Sequence, residues 1–166
     1  MKRVILKGFH YSNFLPWFYC IDNRNKLCIS KRITFTESCK YNIEEKSCVN
    51  KLFGFCFGLG VHKNSVRFGW SYDSNTDKFI IWKYIYKNGK LDKRQIWTCC
   101  NVNEEYDFTI EVNRTANKDT YQLFFMIDNV LMESDTITSD KCFITTLGFY
   151  FGGNTKAPHK MYIEEN

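Results

Sequence analysis

The sequence predicts an all-β domain, an antiparallel β-sandwich, on three observations. Apolar residues alternate with polar ones along several segments, the period-2 signature of half-buried strands. Polar turn clusters interrupt these segments about every 10 to 15 residues, the spacing of a sandwich or barrel. Helix signals are missing: Ala116 and Ala157 are the only alanines in 166 residues, and alanine is the best helix former.

Met1 to Lys7 reads as a first or edge strand, because Lys7 ends the short apolar run Val4-Ile5-Leu6. Ile29 to Thr36 reads as a strand, and Tyr41 to Val49 as a loop or a single helical turn. Phe53 to Val61 and Val66 to Tyr72 are strands parted by His62-Lys63-Asn64-Ser65, with glycines 54, 58, 60 and 69 marking bends or close approach of backbones. Phe79 to Tyr86 returns through the polar turn at 73–77, and Asn88-Gly89 turns the chain into a strand ending near Cys99. The clearest alternation is Tyr106, Phe108, Ile110, Val112. It continues past a turn at 114–119 into Tyr121, Leu123, Phe125, Ile127, and past Asp128-Asn129 into a strand from Val130 to Ile137. Leu147 to Phe151 closes the series.

A chain of 166 residues without repeats or a proline-rich linker is expected to form one domain over 1–166. Its 44% apolar and 17% aromatic content excludes a disordered protein. No apolar run reaches the ~18 residues of a membrane helix, and Lys7 cuts the N-terminal run short of a signal-peptide core. Eight cysteines (20, 28, 39, 48, 56, 99, 100 and 142) show no C-x-x-C pair, so reduced thiols and an intracellular, cytoplasmic or virion-associated setting are expected. The sequon Asn113-Arg114-Thr115 is the contrary hint. A net charge of +5, spread along the chain, permits an acidic partner without requiring one.

The segment Tyr121-Gln-Leu-Phe-Phe-Met-Ile-Asp128-Asn129, its return strand from Val130 and the strand through Leu147-Gly148-Phe149-Tyr150-Phe151 resemble the concanavalin A-like and laminin-G-like jelly rolls. The likeness covers about 53–163, with Asn129 where such turns usually carry glycine. The string Tyr150-Phe151-Gly152-Gly153-Asn154 and Ala157-Pro158-His159 also resembles strings in gut-bacterial and phage proteins. The jelly-roll resemblance implies a curved sheet whose concave face can bind glycans, with lectins, carbohydrate-binding modules, glycoside hydrolases and polysaccharide lyases among its relatives.

The candidate ligand-binding residues are Trp82, Tyr84, Tyr86, Arg67, Asn154 and His159. Alternation lines up Trp82, Tyr84 and Tyr86 on one strand face, where rings can stack on sugars or bases. The competing expectation puts these rings in the core with Lys83 and Lys87 facing water. Arg67 can grip a carboxylate or phosphate with its planar fork, and alternation sets it opposite Val66, Phe68, Trp70 and Tyr72. Gly152-Gly153 beside Asn154 either brings amides near a ligand or makes a tight turn.

An enzyme requires a histidine, an arginine and a tyrosine or carboxylate to meet in one cleft. His10, His62 and His159 carry no Ser-His-Asp order or zinc motif, and Glu44-Glu45, Glu104-Glu105 and Glu164-Glu165 read as solvated. Asp73, Asn75 and Asp77 have calcium-loop spacing, but Lys78 stands where glycine is needed and Tyr84 where glutamate is needed, so a plain turn is expected. Cys99-Cys100 cannot both face one metal from a strand, and no cofactor motif is present. The leading expectation is therefore a non-catalytic lectin-like domain contacting a glycan or a protein surface. A polysaccharide lyase or hydrolase is the alternative. Single-stranded nucleic acid is the third, through Lys83, Lys87, Lys90, Lys93 and Arg94 interleaved with Trp82, Tyr84, Tyr86 and Trp97.

Overall fold

The computed structural model describes residues 1–12, 18–20, 26–42, 49–141 and 143–166, with the backbone alone at 18–20 and 97. Twelve strands are described: β1 (Lys2–Ile5), β2 (Phe18–Cys20), β3 (Lys26–Phe35), β4 (Asn50–Phe57), β5 (Ser65–Asp73), β6 (Lys78–Lys87), β7 (Lys90–Cys100), β8 (Glu105–Arg114), β9 (Thr120–Ile127), β10 (Val130–Thr138), β11 (Phe143–Leu147) and β12 (Met161–Glu165). They form two six-stranded antiparallel sheets. The first has the order β1-β12-β3-β8-β9-β10 and the second β2-β11-β4-β5-β6-β7. Among the described residues the only helical element is a 3-10 turn at Glu37–Cys39, and no helix is long and apolar enough to cross a membrane.

Alternation decides which side chains meet between the sheets. Ile33, Phe35, Phe108, Ile110, Val112, Leu123 and Phe125 point inward from the first sheet, and Phe68, Trp70, Phe79, Ile81 and Ile85 from the second, all buried. Rings join the layers: Phe35 stacks on Phe79 at 4.5 Å, and Phe68 meets Phe108 and Phe125 edge-on at 5.1 Å. Each such pair adds roughly 0.5–1.5 kcal/mol beyond burial.

The three hairpin strands read from 106 to 137 are present as β8, β9 and β10. The Asp128-Asn129 turn works without glycine because both residues take left-handed backbone, φ +50° and +63°, which Asn and Asp tolerate best among side-chain-bearing residues. Three boundaries differ from expectation. β4 begins at Asn50 and ends at Phe57, leaving Gly58 and Gly60 beyond it. The strand expected at 147–151 lies earlier, as β11, followed by an irregular segment. The last strand is β12, which the sequence pattern did not announce because a ring, Tyr162, faces out and a charge, Glu165, faces in. Most of the loop or turn expected over 41–49 lies outside the described residues, as do the side chains of Cys20, Cys48 and Cys142. Cys28, Cys39, Cys56, Cys99 and Cys100 are unpaired thiols.

Charges also occur between the sheets, and there they are paired. Lys83, 2% exposed, reaches Asp135 of the opposite sheet at 2.8 Å, with Lys87 on the same carboxylate and Asp92 at 3.6 Å from Lys83. Glu165, expected in solvent, is buried and bound by Arg3 and Lys31. The expectation that Lys83 and Lys87 face water while the ring row fills the core is therefore inverted.

Candidate functional site

Three strands of the second sheet supply the floor of a cleft on its outer face. Register sets Arg67 of β5 beside Tyr84 of β6 on one side and Gly54 of β4 on the other, so all three share the face that Phe68 and Ile85 turn away from. Tyr86 pairs with Ser65 and Trp82 with Gly69 on that same face. Gly54 has to be glycine: a Cβ there would lie 1.9 Å from the Val66 carbonyl oxygen. The close backbone approach sets the floor beside Arg67.

The chain after β11 builds one wall. Tyr150 exchanges both backbone hydrogen bonds with Lys51, at 2.8 and 2.9 Å. The Lys51 ammonium donates to the Gly152 carbonyl at 2.8 Å and lies over the rings of Tyr84 and Tyr150. Asn50 accepts from the Gly152 amide at 2.6 Å and donates to the Tyr41 hydroxyl. Gly152 sits at φ +68°, where a Cβ would meet the Thr155 carbonyl at 2.0 Å. The doubled glycine thus makes a tight turn in which the Gly152 amide serves Asn50 and Gly153 lines the cleft. Tyr11 stands edge-on to Tyr150 at 4.9 Å, and His10 stacks behind Tyr150 at 5.0 Å. On the opposite side His62, from the β4–β5 loop, lies 5.1 Å from Tyr86.

The cleft has a volume of about 490 Å³ and is lined by Tyr11, Ser12, Lys51, His62, Arg67, Tyr84, Tyr86, Tyr150 and Asn154, among others. That volume falls within the ~300–1,000 Å³ of small-ligand sites. Of the six residues named from sequence, Arg67, Tyr84, Tyr86 and Asn154 line it. Trp82 shares the sheet face but lies outside the lining, its indole N–H donating to Ser71 at 2.9 Å. His159 is elsewhere, hydrogen-bonded to the Ser38 carbonyl at 2.9 Å. Tyr11, Lys51 and Tyr150 had no periodic signal tying them to Arg67. Tyr150 joins the floor by bridging to Lys51, and Tyr11 by bridging to Tyr150, long-range pairings that a single sequence does not display.

No aspartate or glutamate is among the described residues lining the cleft. The Arg67 Nε is buried without a hydrogen-bond acceptor. Burial lowers the Arg67 pKa below the usual arginine value, opposed by Cys56 and the phenols of Tyr84, Tyr11 and Tyr86, and an arginine remains charged throughout. Burial pushes the Tyr150 phenol up, Tyr11 adds to the rise, and Arg67 offsets part of it. The cleft therefore sets hydroxyl-bearing rings around an arginine that has no acid among the described lining residues. Other motifs are closed. Asp73 accepts from the Asn75 amide and the Thr76 hydroxyl, and Asp77 from the Tyr72 hydroxyl, which makes a plain turn. Among the described residues no cluster of three or more His, Cys, Asp or Glu is placed for a metal ion.

No protein-family model matches the chain, and no curated protein matches it. Among solved structures, the endo-β-1,4-glucuronan lyase of the fungus Trichoderma reesei aligns with a TM-score of 0.51 at 8% identity, covering 99% of this chain and 77% of that one. The fold is a jelly-roll β-sandwich. A SAP-like pentraxin from Limulus polyphemus gives 0.49 at 7% identity, over 98% of this jelly roll and 72% of that chain. An endo-1,3-β-glucanase from Streptomyces sioyaensis gives 0.47 at 12%, over 84% and 62%. The jelly roll thus spans less than two thirds of the glucanase. Identities this low speak for the fold alone.

Proposed function

We propose that the outer face of the second sheet is a glycan-binding surface and that the jelly roll acts as a non-catalytic, lectin-like binding domain. The observation that carries this reading is the meeting of Tyr11, Tyr84, Tyr86 and Tyr150 in one cleft of about 490 Å³. Tyrosine rings offer apolar faces for the C–H side of a sugar and hydroxyl tips for its polar rim, at low cost in side-chain entropy. Tyr11 is 73% exposed and contributes little to the core, so a ring held there serves the surface. The test is calorimetric titration with an oligosaccharide panel, using Tyr11→Ala and Tyr86→Ala. Saturable binding weakened about 5- to 100-fold in the variants, the range expected for one stacked ring, supports the proposal. Binding unchanged in both would move the site off this face.

A second reading, a polysaccharide-active enzyme, is favoured by one observation: His62, Arg67 and the tyrosines line the same cleft. Hydrolysis by two carboxylates ~5–9.5 Å apart has no candidates among the described lining residues, which leaves elimination by a tyrosine or histidine base. The upward shift of Tyr150 makes that phenol a poor base in the free protein. Growth of ultraviolet absorbance from an unsaturated sugar product, lost in Tyr84→Phe, would establish this enzyme reading; a flat trace with intact binding would leave the lectin-like one. Nucleic acid is less well supported, because Lys83 and Lys87 are held by Asp135 between the sheets and do not stand beside the rings.

A further inference from the structure

We infer that the cleft recognises an acidic sugar, and that Arg67 is the residue that reads its oxyanion, a carboxylate or a sulfate. The inference rests on the glycan reading above and names the ligand class within it. Four observations converge on it. The Arg67 guanidinium lines the cleft, yet its Nε is buried without an acceptor. The acidic residues that would neutralise it are missing from the described lining, and its electrostatic neighbours are a thiol and three phenols. The hydroxyl of Ser12, in the same lining, is also buried and unpartnered. The other cation of the floor, Lys51, donates to the Gly152 carbonyl, whereas the Arg67 Nε has no acceptor among the described residues.

A buried charge without a partner is costly; between the sheets this protein sets acids against its cations, Lys83 with Asp135 and Lys31 with Glu165, and on the cleft floor the buried Lys51 ammonium has the Gly152 carbonyl. An oxyanion entering the cleft would supply the missing charge, and the planar fork of arginine suits a two-pronged contact to it. Surrounding phenols can donate to the remaining oxygens without competing for the guanidinium. Neutral glycans could stack on the rings but would leave Arg67 as it is, so discrimination between acidic and neutral sugars is the property this arrangement confers.

The test pairs polymers that differ only in charge. The wild-type protein is titrated with a polyuronate and its carboxyl-reduced form, and with a sulfated neutral polysaccharide and its desulfated form. Arg67→Met, Arg67→Lys and the surface control Arg94→Met follow, each checked by thermal melting. We expect the acidic member of one pair to bind about 30-fold or more tighter than its neutral counterpart. The pair that discriminates identifies carboxylate or sulfate. Arg67→Met should abolish the preference while melting no lower than wild type, and Arg67→Lys should restore part of it. Equal binding of charged and neutral members overturns the inference and leaves the glycan reading standing. Equal losses in Arg67→Met and Arg94→Met would reveal general attraction to a basic protein and also overturn it. Tighter binding to a single-stranded oligonucleotide than to every glycan, or binding to no polymer, overturns both.

Discussion

The two outer faces of the sandwich are built to opposite rules. On the first sheet, polar side chains from neighbouring strands answer one another. Arg32 meets Asp107 at 3.0 Å and Glu105 at 3.4 Å, Lys26 meets Glu111 at 2.7 Å, and Ser30 bonds Thr109 at 2.8 Å. These are cross-strand partners by register or near neighbours of them, so the face is complete without a ligand. The second sheet's outer face carries rings, a glycine-lowered floor and an arginine with no acid among the described residues that line its cleft. The fold gains no ion pair from the Arg67 Nε, which has no acceptor among the described residues. On the proposed reading a ligand in the cleft supplies the missing partner, and the contrast between the faces is what supports placing it there.

The contrast sharpens inside the sandwich, where unpaired charge is avoided. Asp135→Leu removes the partner that holds Lys83, 2% exposed, and leaves only Asp92 at 3.6 Å. Urea denaturation should show a loss of about 3 kcal/mol or more, against less than about 1 kcal/mol for Asp107→Leu on the first sheet's outer face. Acid gives the same information without mutation. Burial pushes the Asp135 carboxyl up, but hydrogen bonds from Lys83 and Lys87 outweigh it and hold its pKa below the usual value; Glu165 behaves alike under Arg3 and Lys31. Both folded pKa values are depressed, so the unfolded chain takes up protons first. The stabilisation is present above the unfolded values of about 4 and is lost as pH falls through the lower folded ones. The melting temperature should therefore drop on acidification below about pH 4, and by less in Asp135→Leu. Equal acid sensitivity in the two proteins would show that Asp135 is not the group that titrates.

Arg67→Met and Arg32→Met carry the comparison back to the faces. Removing an uncompensated, desolvated guanidinium should leave the free protein as stable or stabilise it by about 1 kcal/mol, whereas removing Arg32 from its exposed pairs should cost a few tenths to about 1 kcal/mol. A lower melting temperature in Arg32→Met and none lower in Arg67→Met is the expected outcome. A substantial loss in Arg67→Met would mean that the guanidinium supports the floor by packing and would erase the difference between the faces.

The architecture was readable from sequence where each strand has one wet face. From Tyr106 to Ile137 the polar residues that answer one another on the outer face are the same ones that mark the alternation. The pattern failed where both faces are covered. Every residue of β4 is buried, so its run has no alternation and its start at Asn50 was misplaced. Half of the cleft was legible for the same local reason: Tyr84 and Tyr86 are two apart on one strand, and Arg67 stands opposite its own strand's apolar face. Its union with Tyr84 depends on register between strands, and the wall of Tyr11 and Tyr150 on pairings across 139 positions or with Lys51. Lys83 misled because an amphipathic strand normally puts lysine outside; its partner Asp135 lies in the other sheet.

The smallest effect on stability should come from the ring most useful to a ligand. Tyr11 is 73% exposed and touches the protein chiefly through the edge of Tyr150, so Tyr11→Ala should shift stability by no more than about 0.5 kcal/mol. If the outer face of the second sheet is kept for a ligand, the same substitution should weaken glycan binding several-fold. Trp82→Ala is its counterpart on the same face, outside the cleft lining and tied to Ser71. It should lose some stability and little affinity. A reversed pair, with affinity falling in Trp82→Ala and not in Tyr11→Ala, would relocate the binding surface along β6 toward Lys78 and away from Arg67.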